Sequence, residues 1–381
     1  MTQQSIQLFR PTYRVDECME AIRGVLESGW TGTGPKCAEF ESQWKKHIGC
    51  RNALFVSSAT AALHIAVRLL DLPEGAKVAT TPLTFVSTNA AILYEKLTPV
   101  FCDCGSDLSL KADSVIDAIE KDGVRAVIWV HYGGSVSEEF YKLMDYVSMH
   151  PEVKVIEDCA HASGAWYFHE KNRGFVGSRT DTYACFSFHS VKCLPIFDGG
   201  ILCVPDDKHA ERARRLSWLG IDKSTYARTE GSGNELYKWS YDVPELGWKY
   251  NGNDIAASIG LVQLEVLNFD NAMREKNKKW YEEFLGRENF MMHSCGSSHH
   301  LIVLLVNDRE RVMSALKANG IAPGVHYLPN YRFPVFAGFD HSRCVEVEKL
   351  SEKILSLPNH VAMERQTIER ICKIIKESGG L

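Results

Sequence analysis

Over the first half of the chain, short continuous apolar runs alternate with segments whose apolar residues recur every three or four positions. Residues 15–28 have helical spacing and end at Ser28-Gly29, a pairing that stops helices. Trp30-Thr31-Gly32-Thr33-Gly34-Pro35 predicts a loop, followed by a helix from about Ala38 to His47. Strands are expected near 52–56, 77–80, 98–102, 126–130 and 153–157, with helices near 59–70, 87–95 and 138–149 between them. Apolar runs this continuous do not suit a sheet with one wet face. They predict an α/β protein with a mainly parallel sheet covered on both sides.

Beyond about residue 245 the pattern changes. A strongly periodic helix is expected from Asp254 to about Phe269, continued or followed by one over 271–286. A strand near 300–306, a helix near 310–319 and a last helix near 364–377 predict a smaller α+β domain. The expected division is residues 1–250 as a large domain and 251–381 as a bridging helix with a small C-terminal domain, the boundary lying within 250–285.

Composition narrows the class. The 381 residues are 45% hydrophobic and 24% charged, which supports a large buried core. A formal net charge of -5 argues against nucleic acid or an anionic membrane as the main partner. No apolar run approaches the roughly 18 residues of a membrane span. Met1-Thr2-Gln3-Gln4-Ser5 lacks the basic-then-apolar start of a secretion signal. The twelve cysteines form no C-x-x-C pair and no zinc spacing, so buried free thiols in a cytoplasmic protein are expected.

Three stretches carry candidate chemistry. In Val155-Ile156-Glu157-Asp158-Cys159-Ala160-His161-Ala162, a β-rich run delivers a carboxylate and an imidazole to the end where open α/β sheets bind ligands. Asp158 there would suit a metal, a ribose hydroxyl or a protonated ring nitrogen, or it would simply cap a helix. No further ligand cluster favours metal, and no Gly-x-Gly-x-x-Gly loop favours a dinucleotide. The second stretch, Cys185 to Lys192 followed by Asp198-Gly199-Gly200, places a lysine among aromatic and small polar residues. Such a lysine is either an activated amine or a solvated surface charge. The third, Ser57-Ser58-Ala59-Thr60 between strand and helix, fits a phosphate at a helix N-terminus or an ordinary N-cap.

Together these segments resemble the DegT/DnrJ/EryC1/StrS sugar aminotransferases, a branch of the fold-type I pyridoxal-phosphate (PLP) enzymes. The resemblance runs from Thr33-Gly34-Pro35 to Leu355-Ser356-Leu357-Pro358. It is carried most specifically by Ser187-Phe-His-x-x-Lys192 and Glu157-Asp-Cys-Ala-His-Ala162, with Ser58-Ala-Thr-Ala-Ala-Leu63 and Lys249-Tyr250-Asn251 before Asp254-Ile255. The resemblance implies that Lys192 forms a Schiff base with PLP, that Asp158 pairs with the pyridine nitrogen and that His161 sits near the phenolic oxygen. Phe85 would stack on the ring, the alternative being an ordinary core phenylalanine. Ala59, Thr60 and Ser187 would hold the phosphate, with Asn251 reaching it from the neighbouring subunit of a homodimer. Two departures stand out: Phe197-Asp198-Gly199-Gly200 replaces a common Gly-Glu-Gly-Gly, and Ala59 stands where many relatives have glycine. Lys192 itself argues against the family subset that carries histidine there and dehydrates its substrate.

The implied reaction moves an amino group from an amino acid, glutamate by resemblance, to a nucleotide-linked ketosugar. Lys249-Tyr250-Asn251 resembles enzymes aminating C4 of a 4-keto-6-deoxyhexose; relatives aminating C3 often carry Asn-Ser-Arg there. Thr31, Gly32, Lys249, His326 and Tyr327 would line the sugar site, although the 325–329 segment also reads as a surface turn. The rival readings are amination at C3, a PLP-binding regulator without turnover, and a PLP lyase or desulfurase.

Overall fold

The computed structural model describes residues 5–169, 172–222 and 240–381. The first four residues, on which the reading of a missing secretion signal partly rests, lie outside these. The chain opens with α1 (Val15–Ser28) and α2 (Pro35–Ile48). Then follow β1 (Asn52–Val56), α3 (Ala59–Leu69), β2 (Lys77–Thr80), α4 (Val86–Tyr94), β3 (Thr98–Phe101), α5 (Ala112–Asp122), β4 (Ala126–Val130), α6 (Glu138–Ser148) and β5 (Lys154–Asp158). A hairpin of β6 (Trp166–His169) and β7 (Asn172–Phe175) precedes β8 (Tyr183–Ser187), β9 (Gly200–Val204) and α7 (Asp207–Ser217).

Seven strands form one sheet in the order β1-β9-β8-β5-β4-β2-β3. β9 pairs antiparallel with both β1 and β8, whereas β8, β5, β4, β2 and β3 are joined by parallel pairings. The sheet is therefore mainly parallel, as the continuous apolar runs imply. In β4, Val127 and Trp129 enter the core on one face while Ala126 and Ile128 enter that on the other. Side chains alternate across a strand, so a strand covered on both faces reads as a near-continuous apolar run.

The periodic segment after residue 253 is one helix, α8 (Asp254–Leu285), rather than two. At about 1.5 Å per residue it spans about 48 Å. Its Ala257 and Leu264 pack into the core shared with α2, and its Tyr281 and Leu285 into a second core with β10 (Ile302–Leu305), β11 (Ile354–Leu357) and the last helix, α11 (Arg365–Ser378). α9 (Arg309–Ala318) and α10 (Val345–Ser351) complete this smaller α+β layer, to which Ile6 adds a parallel bridge at Ile321.

α2 begins at Pro35, earlier than its apolar spacing indicates. Proline suits the first helical turn, and the cap comes from far away. Asp254 accepts backbone N–H bonds from Gly34 and Cys37 on Oδ1 and from Lys36 on Oδ2, at 2.9–3.0 Å. All twelve cysteines are unpaired and all but Cys295 are buried. Among the described residues no helix is long and apolar enough to cross a membrane.

Candidate active site

The C-terminal ends of β4, β5 and β8 open onto a cavity of about 310 Å³. Parallel strands leave their C-terminal ends facing one rim, where successive loops converge. Asp158 is the last residue of β5 and is buried. Its Oδ2 accepts from Thr88 Oγ1 at 2.7 Å, and its Oδ1 from the Ala160 N–H at 3.1 Å. Burial pushes its carboxyl above the ordinary aspartate range, opposed by these two bonds and by the nearby Lys192 charge. A cation against Asp158 would complete the pairing that a buried carboxylate requires. Asp158 is thus bound by donors on a rim, and a helix-capping role does not account for it.

The neighbouring Glu157 faces the other side of the sheet. Burial alone would raise its carboxyl, but hydrogen bonds from His131, Thr182 and Tyr167 hold it below the ordinary value. Glu157, His131 and Cys159 come close enough to share a metal ion. Three donors already occupy Glu157, two on Oε2 and one on Oε1, which accounts for the cluster as a hydrogen-bond network without a metal.

Lys192 lies on the loop between β8 and β9. Backbone bonds from Phe188 to Gly199, from Ile196 to Phe188 and from Lys192 to His189 fold this loop on itself. Burial lowers the Lys192 amine to about 8, against the opposing pull of Asp158. That favours a free amine nearer neutrality than an exposed lysine allows. Asp198, the shorter counterpart of the more common glutamate, also lines the cavity.

At the head of α3, Ser58 Oγ accepts the Ala61 N–H at 3.1 Å, so the N-cap reading holds for Ser58. The preceding helical amides of Ala59 and Thr60 have no acceptor within their own helix, and both residues line the cavity. These amides and the Thr60 hydroxyl can take an anion. Gly200 makes the close approach possible: a Cβ there would lie 2.6 Å from the Ser58 carbonyl carbon and 2.7 Å from Ala59 N. Ser187, paired with Gly200 across β8 and β9, lies on the same rim.

His161 and Tyr327 close the opposite wall. The Gly133 N–H donates to His161 Nδ1 at 3.3 Å, and Nε2 lies 2.9 Å from the Tyr327 hydroxyl. Burial holds His161 well below its ordinary pKa, so the ring is neutral. With Nδ1 accepting, the proton sits on Nε2 and is donated to Tyr327. His326 lines the same cavity, its Nδ1 2.8 Å from Ser356 Oγ. Phe85 stands at the mouth, 56% exposed, and is not a core residue. An exposed ring on a cavity rim is suited to cover a flat ligand.

Thr31, Gly32, Lys249 and Asn251 do not join this cavity within one chain. They line a separate hollow of about 450 Å³ beside Trp30 and Trp218. There Lys249 Nζ donates to Asn251 Oδ1 at 2.7 Å and lies 3.9 Å from the centre of the Trp218 ring. Asn251 Nδ2 donates to Thr33 Oγ1 at 2.5 Å. Asn251 does not cap α8; Asn253 does, accepting the Ala256 N–H at 2.9 Å.

Several residues at or behind the cavity escape a reading by motif. Thr88, on the first turn of α4, is the direct partner of Asp158, and the Thr84-x-x-x-Thr88 spacing was the available signal. Phe9 and His300 stack at 5.2 Å, and His300 lies 4.6 Å from the His161 ring. Nothing in the local sequence links residue 9 with residue 300.

The residues fit PLP: an amine and a carboxylate share one cavity with an anion-binding helix end and an exposed aromatic lid. The sequence profile of the DegT/DnrJ/EryC1/StrS aminotransferase family matches residues 13–376. Protein MJ1066 of Methanocaldococcus jannaschii, itself uncharacterized, is 31% identical over 387 aligned positions, covering 97% of this chain and 96% of that one. AtS13 from Actinomadura melliaura superposes with a TM-score of 0.87 at 29% identity, over 99% of this chain and 100% of that one. The sugar aminotransferase CalS13 from Micromonospora echinospora gives 0.86 at 26% identity, over 98% and 99%. The match along the chain and the geometry at the rim agree: this protein belongs to the DegT/DnrJ/EryC1/StrS aminotransferases, fold-type I enzymes that depend on PLP.

Proposed function

We propose that the enzyme transfers the amino group of glutamate to C4 of a nucleotide-linked 4-keto-6-deoxyhexose, acting as a cytoplasmic homodimer. The observation that carries this reading is the shared cavity of Lys192, with its lowered pKa, and the buried Asp158. PLP, when bound, supplies an electron sink that lets the donor's α-proton depart. Asp158 would keep the ring nitrogen protonated, with Thr88 fixing that carboxylate. Ala59, Thr60 and Ser187 would hold the phosphate, while Phe85 would cover the ring and exclude water. Lys192 would hold the cofactor covalently, and its Nζ, once free, would serve as the base that takes the proton from the donor's α-carbon and then as the acid that returns it. The neutral His161 donates to Tyr327, whose own hydroxyl hydrogen would be left to donate at the phenolic oxygen.

Lys249 and Asn251 fit this reading as residues lent to the other subunit, because the hollow they line lies apart from their own Lys192. Asn251 would meet the partner's cofactor phosphate. Thr31, Gly32 and Lys249, opposed by His326 and Tyr327, would meet the nucleotide-linked sugar. C4 rather than C3 follows from the Lys249-Tyr250-Asn251 form of the motif.

The purified yellow holoenzyme should be bleached by glutamate alone, with one 2-oxoglutarate released per site. The bleached enzyme should regain its colour with nucleotide-linked 4-keto-6-deoxyhexoses and not with 3-keto isomers. Recovery with 3-keto sugars alone would overturn the C4 assignment. Failure of every amino-acid donor to bleach it would favour a PLP-binding regulator.

A further inference from the structure

Tyr250 sits between Lys249 and Asn251, and its side chain turns to a place the reaction does not use. Its hydroxyl lies 3.1 Å from His64 Nδ1, and His64 Nε2 lies 2.8 Å from Glu95 Oε1. Arg68 donates to the other Glu95 oxygen at 3.2 Å. A carboxylate only accepts, so the imidazole proton is on Nε2. Burial keeps His64 below its ordinary pKa despite Glu95, so Nδ1 is bare and accepts from Tyr250. The donor direction is thus fixed along the whole series, Tyr250 to His64 to Glu95.

His64 is four residues beyond Thr60 on α3, hence on the same helix face as the amide end that meets the phosphate. The backbone ties the same two places together. Tyr250 O accepts from the Ser57 N–H at 2.7 Å, just before the phosphate turn, and Asn251 forms an antiparallel bridge with Val56. On the other edge, the Tyr250 N–H donates to Ser217 O at 2.9 Å. Trp248 stacks on Tyr250 with ring planes 12° apart and lies 4.2 Å from the His64 ring.

We propose that the Tyr250–His64–Glu95 series is a positioning device that locks the segment carrying Lys249 and Asn251 to the phosphate-binding end of α3. Each subunit's own phosphate turn and the residues it lends its partner are thereby set as one body. Neither His64 nor Glu95 lines the Lys192 cavity; both act through Tyr250 and α3. The inference rests on the shared-site reading above.

The test uses holoenzyme loaded with pyridoxamine phosphate, which has no covalent bond to Lys192 and is retained mainly by its phosphate and ring contacts. Release is followed by cofactor fluorescence after dilution, beside thermal denaturation of each variant. Tyr250→Phe and His64→Leu should each speed release about tenfold, the size expected for losing one buried hydrogen bond. His64→Gln, whose amide can accept from Tyr250 and donate to Glu95, should restore release to within about twofold of wild type. A fall in melting temperature for Tyr250→Phe and His64→Leu with unchanged release would reduce the series to a fold-stabilising network and overturn the proposal. Asn251→Ala separates the two readings. If it speeds release while Tyr250→Phe and His64→Leu do not, the shared site stands and the positioning role fails. If Asn251→Ala has no effect, the shared phosphate site fails and the positioning proposal with it.

Discussion

Thr88 Oγ1 donates to Asp158 Oδ2 at 2.7 Å, with Thr84 Oγ1 a further 2.9 Å from Thr88 Oγ1. Two hydroxyls, one just before α4 and one in its first turn, thus brace a carboxylate whose charge burial opposes. Asp158→Asn preserves size but removes that charge. The variant should still bind PLP, while its transamination rate falls by about 100-fold or more, since each pKa unit on the ring nitrogen corresponds to about 1.4 kcal/mol. Single-turnover bleaching by glutamate measures this, and near-normal turnover would leave Asp158 a structural residue.

Lys192→Ala should retain the fold, as judged by circular dichroism, and lose turnover. Borohydride treatment of wild type should fix the cofactor to the peptide containing Lys192, and the variant should yield no such adduct. A cofactor trapped on any other lysine contradicts the assignment.

The lowered Lys192 pKa has a direct pH consequence. Only the free amine attacks the cofactor aldehyde, so capture of PLP by apoprotein should accelerate as pH rises through about 8 rather than near 10, the range of an ordinary lysine. Asp158 pulls the lysine pKa upward, so Asp158→Asn should move the midpoint lower still. Stopped-flow absorbance across about pH 6–10 would read both shifts. A wild-type midpoint near 10 would contradict burial of the amine.

If Asn251 serves the partner's site, mixed dimers should complement. A Lys192→Ala protomer combined with an Asn251-disabled protomer forms one site with both lesions and one with neither, up to half of the wild-type sites per heterodimer. Activity after confirmed subunit exchange should exceed the sum of the parents. Simple additivity would confine each site to one chain.

Gly200 supplies a test of the phosphate turn by shape alone. In Gly200→Ala the new methyl would meet backbone of Ser58, Ala59 and Phe186 at 2.6–2.7 Å. Overpacking of this kind costs about 1–3 kcal/mol, and PLP affinity should fall with it. Gly24→Ala is the control: it lies within α1 with no atom inside 4 Å of the added carbon. It should be neutral or stabilise by up to about 1 kcal/mol. Equal effects on PLP affinity at the two positions would detach Gly200 from the phosphate site.

What could be read in the sequence follows from local physics. A strand covered on both faces reads as a near-continuous apolar run, so Ala126–Val130 announced a parallel sheet before any partner strand was known. Ser58, Ala59 and Thr60 between a strand and a helix had two readings: Ser58 takes the cap, while Ala59 and Thr60 line the cavity where the proposed phosphate would sit. Lys192 and Asp158 were legible as a pair because motif order in the chain reflects loop order on one rim.

The tertiary structure alone decided the rest, because periodicity records which face is buried and not what buries it. The start of α2 depends on Asp254, 220 residues from Gly34, a contact no local spacing encodes. The carboxylate of Asp158 is held by Thr88, 70 residues earlier, since α4 happens to lie over the end of β5. The family resemblance assigns Lys249 and Asn251 to the substrate and phosphate, but only the fold shows that they line a hollow apart from their own Lys192. A chain can specify its own helices and strands by pattern; where their ends meet is settled by packing across the whole molecule.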